Sequence, residues 1–173
     1  TLTDIQLRLA PEAGRSSDAY VYGADVAITG NGAIILSTEN ATPFGSVTPY
    51  LRYQGSDNSV SEVLTIGSDV EVRGAGYIQA DRSEDRLQIL GDVIAEGGTL
   101  YLTRINNGGE VLSVSEGADG ELVITGVLED TIVDVAAGSA IDIQGQVSGV
   151  EITGEGRAWL TDYTSASDLT VTG

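Results

Sequence analysis

Six times the chain repeats one short pattern: an aliphatic residue, any residue, an aliphatic residue, any residue, glycine. The copies are VAITG from Val26, VEVRG from Val70, LQILG from Leu87, LVITG from Leu122, VEITG from Val150 and LTVTG from Leu169. Side chains alternate faces along a strand, so each copy spells a short half-buried strand stopped by a glycine. In three places a second strand resumes after a second glycine: TGNGAIIL, RGAGYIQA and TGEGRAWL. The stretch 148–160 shows the whole unit. Val150 and Ile152 point one way and Glu151 and Thr153 the other; Gly154 and Gly156 turn the chain, and Ala158 and Leu160 resume the apolar face.

Recurrence at roughly 17 to 22 residues is the mark of a repeat architecture in which each unit buries its apolar face only by stacking on its neighbours. The sequence therefore predicts an all-β fold, a single-domain β-solenoid (β-helix) over residues 1–173. At about 4.8 Å per coil, roughly eight coils would make a rod near 40 Å long. Its interior would be one column from Val26, Val70, Leu87, Leu122, Val150 and Leu169, and a second from Ile28, Val72, Ile89, Ile124, Ile152 and Val171. Glycine serves the corners because it reaches positive φ at little cost.

Composition narrows the function. The formal net charge is -18, and eight arginines without a lysine are the only basic residues. Nucleic acid and an anionic membrane surface are thereby disfavoured as partners. Such a surface suits a secreted protein in salty or calcium-containing surroundings, where counterions screen self-repulsion; haloadaptation explains it equally well. The chain has no His, Cys or Met. That removes thiolate, His-based triad and Lys Schiff-base chemistry, leaving an enzyme only carboxylates and Arg. The charged groups Asp81, Glu84 and Asp85, and Glu129, Asp130 and Asp134, are the remaining catalytic candidates, and they read more simply as solvated corners. No uncharged run is long enough for a transmembrane helix. A start at Thr1 fits a removed leader or a trimmed chain.

Taken in order, residues 1–10 alternate Ile5, Leu7 and Leu9 against polar neighbours before Pro11, forming an N-terminal strand set apart from the repeats by a polar link. Such a strand either covers this molecule's own first coil or adds to the exposed edge of another copy. Residues 37–60 interrupt the repeat with Pro43, Phe44, Pro49, Tyr50 and Tyr53. An aromatic-bearing insertion on a regular scaffold is a candidate ligand site, whose plain alternative is a covering for one side of the rod. Tyr77 and Tyr101 are placed to stack on a flat face, and parity puts Trp159 outward as a further ligand contact. Residues 80–86, ADRSEDR, read as a corner pushed into solvent. At the C-terminus, Leu169 and Val171 lie where the other copies would continue into a second strand, so the chain either goes on or offers an open edge to a partner. Oxygen ligands are abundant and softer ones absent, so calcium is the candidate cation, with Glu116, Asp119 and Glu121 as the candidate ligands at a turn. A solvated acidic turn accounts for them equally.

From about Glu110 to Gly173, through IVDVAAGSAIDIQG, SGVEITGEGRAWL and SDLTVTG, the chain resembles the GIN domain, the auto-transporter adhesin head family of bacterial surface β-solenoids. That resemblance implies a surface or adhesion module and carries no catalytic motif. The expectation is therefore a non-catalytic extracellular or cell-surface structural subunit, assembling head to tail with copies of itself into a filament or surface layer. The alternative is an adhesin or carbohydrate-binding head whose partners are glycans or other surface proteins.

Overall fold

The structure, a computed structural model, describes residues 2–3, 6–10, 17–38, 48–117 and 119–172. Among them the fold is all-β without helix, and the strand pairings are parallel. A parallel pair needs a crossover of a dozen or more residues, usually a helix. Here the crossover is made of strands. The chain visits three stacks of strands in turn and then returns to the first.

The first stack begins with β1 (Leu2–Thr3), β4 (Val26–Thr29), β7 (Val63–Ile66) and β9 (Arg86–Ile89). It continues through the end of β10 (Val93–Asn106) and the middles of β12 (Gly120–Val135) and β13 (Ala140–Gly154) into β14 (Arg157–Val171). Its inner column runs Val26, Leu64, Leu87, Ile105, Leu128, Val147, Ala166. The second stack holds β2 (Gln6–Leu9), β5 (Gly32–Leu36), the start of β8 (Val70–Ala80), the start of β10, β11 (Val111–Glu116) and the ends of β12 to β14. The third holds β3 (Asp18–Tyr22), β6 (Tyr50–Gln54), the end of β8, the middle of β10 and the starts of β12 to β14. Its column is Ala19, Leu51, Ile78, Leu102, Ile124, Ile143, Leu160.

Inward residues of all three stacks form one buried cluster. At about 25 cal/mol per Å² of apolar surface, burial of this kind is the main force holding strands that have few local partners. Gly74 shows why the corners need glycine. It lies inside β8, where the chain passes from second stack to third, with φ of 113°. A Cβ there would meet the carbonyl oxygen of Leu36 at 1.8 Å.

The two columns expected from the repeat are not formed. Val26 and Leu87 share the first stack, Val70 and Val150 lie in the second, and Leu122 lies in the third. The reason is the length of a return. Register partners on one row are 17 to 19 residues apart near the C-terminus, as in Ile143 with Leu160, Asp134 with Thr153 and Ser148 with Ser167. Between β8, β10 and β12 they are 21 to 24 apart, as in Val72 with Val93, Thr99 with Glu121 and Gly76 with Leu100. The step from Val70 to Leu87 is shorter than one return, so successive copies fall on different sides.

The N-terminal strand is not set apart either. Its described parts pair in register with the molecule's own next strands, Leu2 with Ile28 and Leu9 with Leu36. Leu9 is buried in the core cluster and Leu7 packs against it. Ile5 lies outside the described residues. The expected insertion at 37–60 is also narrower, since Tyr50–Gln54 is a regular strand between β3 and β8.

Candidate functional site

The third stack carries most of the described aromatics on its outward face. Alternation along each strand and parallel register between strands put Asp18, Tyr50, Tyr77, Tyr101, Val123, Asp142 and Trp159 on one row. A parallel sheet sets identical positions about 4.8 Å apart, which is the thickness of stacked rings. Tyr50 and Tyr77 accordingly stack with centroids 4.7 Å apart and planes 8° from parallel. Tyr77 and Tyr101 stack at 4.4 Å and 7°. Burial within this ladder raises the Tyr77 phenol above its ordinary value, helped by the neighbouring Tyr101 and Tyr50. On the next row the Arg52 guanidinium sits 4.4 Å from the Tyr50 ring and 5.9 Å from that of Tyr20. Arg52 also pairs with Asp81 at 3.4 Å, which Gln79 holds by donating to Oδ1 at 2.6 Å. Tyr20 and Tyr22 stack at 5.8 Å at the start of the face.

The geometry decides what this face can do. Rings stacked along the column cover one another's π-faces and turn only their edges outward. A sugar ring packs on an exposed aromatic face, and the Tyr50–Tyr77–Tyr101 ladder has none between its members. Its effect is to lock the register of three successive strands.

Tyr53, expected as a ligand contact, is not one. It points inward at 0% exposure and its hydroxyl donates to the carbonyl of Gly23 at 3.0 Å. Parity within β6 explains this, since Tyr50 and Tyr53 differ by an odd number of residues. Phe44 lies outside the described residues. Trp159 stands at the far end of the row at 52% exposure. With Gly138, Ser139, Ala140, Glu155, Gly156 and Arg157 it lines a shallow groove, where an indole lies beside groups of both charges. At the C-terminal edge Leu169 is half-buried against the core, whereas Val171 is 67% exposed. Tyr20 and Tyr22 escape the sequence reading, although their spacing between Ser17 and Gly23 is a strand signal.

The acidic candidates do not converge. Glu116 accepts from the backbone amide of Ala140 at 2.9 Å, and Glu121 accepts from the Thr99 hydroxyl at 2.8 Å. Asp119 is exposed, with φ of 55°. Among the described residues no group of three or more carboxylates gathers as a metal cluster. The carboxylates weighed for catalysis are engaged one by one: Glu129 with Arg86 at 3.1 Å, Asp134 with the Thr153 hydroxyl at 3.2 Å, and Asp81 with Arg52. One of the set departs from expectation. Asp85, in the corner expected to face solvent, is 0% exposed.

No family model, curated protein or solved structure matches the chain.

Proposed function

We propose that the chain is a β-solenoid of roughly eight coils that works as a non-catalytic, extracellular structural subunit, associating head to tail through its end strands. The observation that carries this reading is that the sheet is not closed and its outermost strands are equivalent in kind. At one end β14 has no strand on its outer edge among the described residues, and at the other β1, β2 and β3 each pair on one side only. Both ends present the same three stacks with strands running in the same sense. A second copy placed end on would continue each inner column, for example Leu160 against Ala19 of the incoming molecule. That contact is heterologous and therefore propagates. The charge of -18 and the resemblance to surface β-solenoids support an extracellular setting. Among the described residues no helix is long and apolar enough to cross a membrane.

Negative-stain electron microscopy tests the reading, using the chain beside a variant lacking residues 1–10 and a Val171→Pro variant. Fibres from the parent that shorten or vanish in both variants would support it. Single short particles from all three, at every concentration and ionic strength tried, would end it.

The second reading, an adhesin or glycan-binding head, draws on Trp159 alone. Its exposed indole beside Arg157 and Glu155 is the arrangement a sugar ring and its hydroxyls would use. Glycan-array binding by the chain that disappears in Trp159→Ala would favour it over assembly.

A further inference from the structure

The corner at which the chain passes from third stack to first places an acid in front of the first-stack strand on three successive visits. Asp25 precedes β4 at Val26, Glu62 precedes β7 at Val63, and Asp85 precedes β9 at Arg86. Because Val63 and Arg86 are register partners and the Arg86 amide donates to the Glu62 carbonyl at 3.0 Å, Glu62 and Asp85 stand side by side just ahead of two paired strands. Like charges in that relation repel. Both are also buried, Glu62 at 5% exposure and Asp85 at 0%.

One oxygen of each carboxylate lies against the same side of Gly55, which holds the two within about 5 Å of each other. The position a Cβ would take on Gly55 lies 2.1 Å from Glu62 Oε2 and 2.8 Å from Asp85 Oδ1. Glu62 accepts from the Ser56 hydroxyl at 2.7 Å and the Asp57 amide at 3.1 Å. Asp85 Oδ2 accepts from the Gly55 amide at 2.8 Å, whereas Oδ1 has no hydrogen-bond partner among the described residues. A fully buried carboxylate oxygen left unpaired beside a second carboxylate is costly unless a positive group neutralises it. Arg82, on the same corner, also has a buried Nη1 without a partner and is the rival counter-ion.

We propose that Glu62 and Asp85 bind a divalent cation of the calcium class between the turn 55–62 and the corner 81–85. Two carboxylate oxygens bridging a cation at about 2.3–2.6 Å each lie within about 5 Å of one another, and hard oxygen ligands suit calcium. Water fills the other ligand positions on the exposed Ser56–Asp57 side. The cation ties the turn 55–62 to the corner 81–85, between the backbone bonds from the Asp81 amide to the Tyr53 carbonyl and from the Arg86 amide to the Glu62 carbonyl. It is separate from the Glu116–Asp119–Glu121 turn.

Terbium and calcium test this on the whole chain at fixed ionic strength. Tyr53 stands two residues before Gly55, whose amide donates to Asp85, and so is the tyrosine placed to sensitise bound terbium. Terbium emission excited through tyrosine should appear, be displaced by calcium chloride, and fall several-fold in Asp85→Asn and in Tyr53→Phe but not in Glu121→Gln. Calcium should raise the melting temperature of the parent and of Tyr53→Phe, and leave that of Asp85→Asn unmoved. Equal emission and equal calcium response in parent and Asp85→Asn would overturn the proposal. So would a parent indifferent to calcium whose melting temperature drops in Arg82→Gln, which would assign Arg82 as counter-ion, or rises on mild acidification, which would assign a shared proton.

Discussion

The side chain of Asn107 takes the place of a missing strand residue beside Ile89. Its Oδ1 accepts from the Ile89 amide at 2.9 Å and its Nδ2 donates to the Ile89 carbonyl at 2.7 Å. The chain leaves the first stack here to turn through Gly108 and Gly109, so no backbone remains to pair with Ile89. Asn107 is fully buried, and its own amide donates to the Thr131 hydroxyl at 3.1 Å on the following return. One residue thus joins three successive passes of the chain, by its side chain to Ile89 and by its backbone amide to Thr131.

Asn107→Ala should therefore destabilise the protein by about 2–3 kcal/mol, because it strands a buried N–H and a buried C=O of Ile89. Asn107→Asp should cost at least as much, since a carboxylate cannot donate to the Ile89 carbonyl and its charge would be buried. Urea unfolding followed by far-UV circular dichroism measures both.

Two glycines at left-handed positions separate backbone strain from crowding. Gly138 has φ of 81° and open space where a Cβ would go. Gly145 has φ of 125°, and a Cβ there would meet the Gly126 carbonyl oxygen at 2.1 Å. Gly138→Ala should cost about 1–2 kcal/mol from conformation alone. Gly145→Ala should cost about 3 kcal/mol or more, because two backbones must part as well. Equal urea midpoints for the two variants would show that the corners are looser than the contacts imply.

Removing the middle ring of the ladder deletes two stacked contacts at once. Tyr77→Ala should lose about 2–3 kcal/mol, combining two aromatic contacts worth about 0.5–1.5 kcal/mol each with burial of the ring. Tyr77→Phe should retain most of that stability, as the stack depends on ring faces rather than the hydroxyl. Thermal melts of the two variants against the parent give the comparison.

The Tyr53 phenol carries a pH dependence. Burial, and after it the charges of Asp85, Glu62 and Asp25, push its pKa from 10.0 up to about 12. Between those values the folded protein keeps a proton that the unfolded chain has lost, so folding binds more protons and stability falls as pH rises through the window. Below it the contribution is fully present. Tyr53→Phe has no such proton, and its urea midpoint should decline less steeply from about pH 9 to about pH 12. Parallel declines would exclude a special role for Tyr53.

Much of the strand content was legible from alternation and glycine. Tyr77 beside Tyr101, the outward Trp159 and the turn at 154–156 all follow from parity along one segment, which is a local property. Parity also misled within 37–60, because aromatics near two prolines read as a loop while Tyr50–Gln54 continues a regular strand. Asn107, beside two glycines, and Asp85, in the charged corner 80–86, carry surface signals, since a polar side chain near glycines or other charges normally faces water. Their burial depends on the strand beneath each of them, which no window of sequence contains.

By itself, then, the sequence determined that strands form, which side of each is apolar and where the backbone must bend, because these depend on neighbouring residues along one chain. Which strand lies on which was decided only in three dimensions. The distance around one return, 17 to 19 residues in one region and 21 to 24 in another, is set by how many residues three strands and their corners require when stacked in register. That closure condition sends Val70 and Leu87 to different stacks, brings Tyr50, Tyr77 and Tyr101 onto one row, and sets Glu62 beside Asp85.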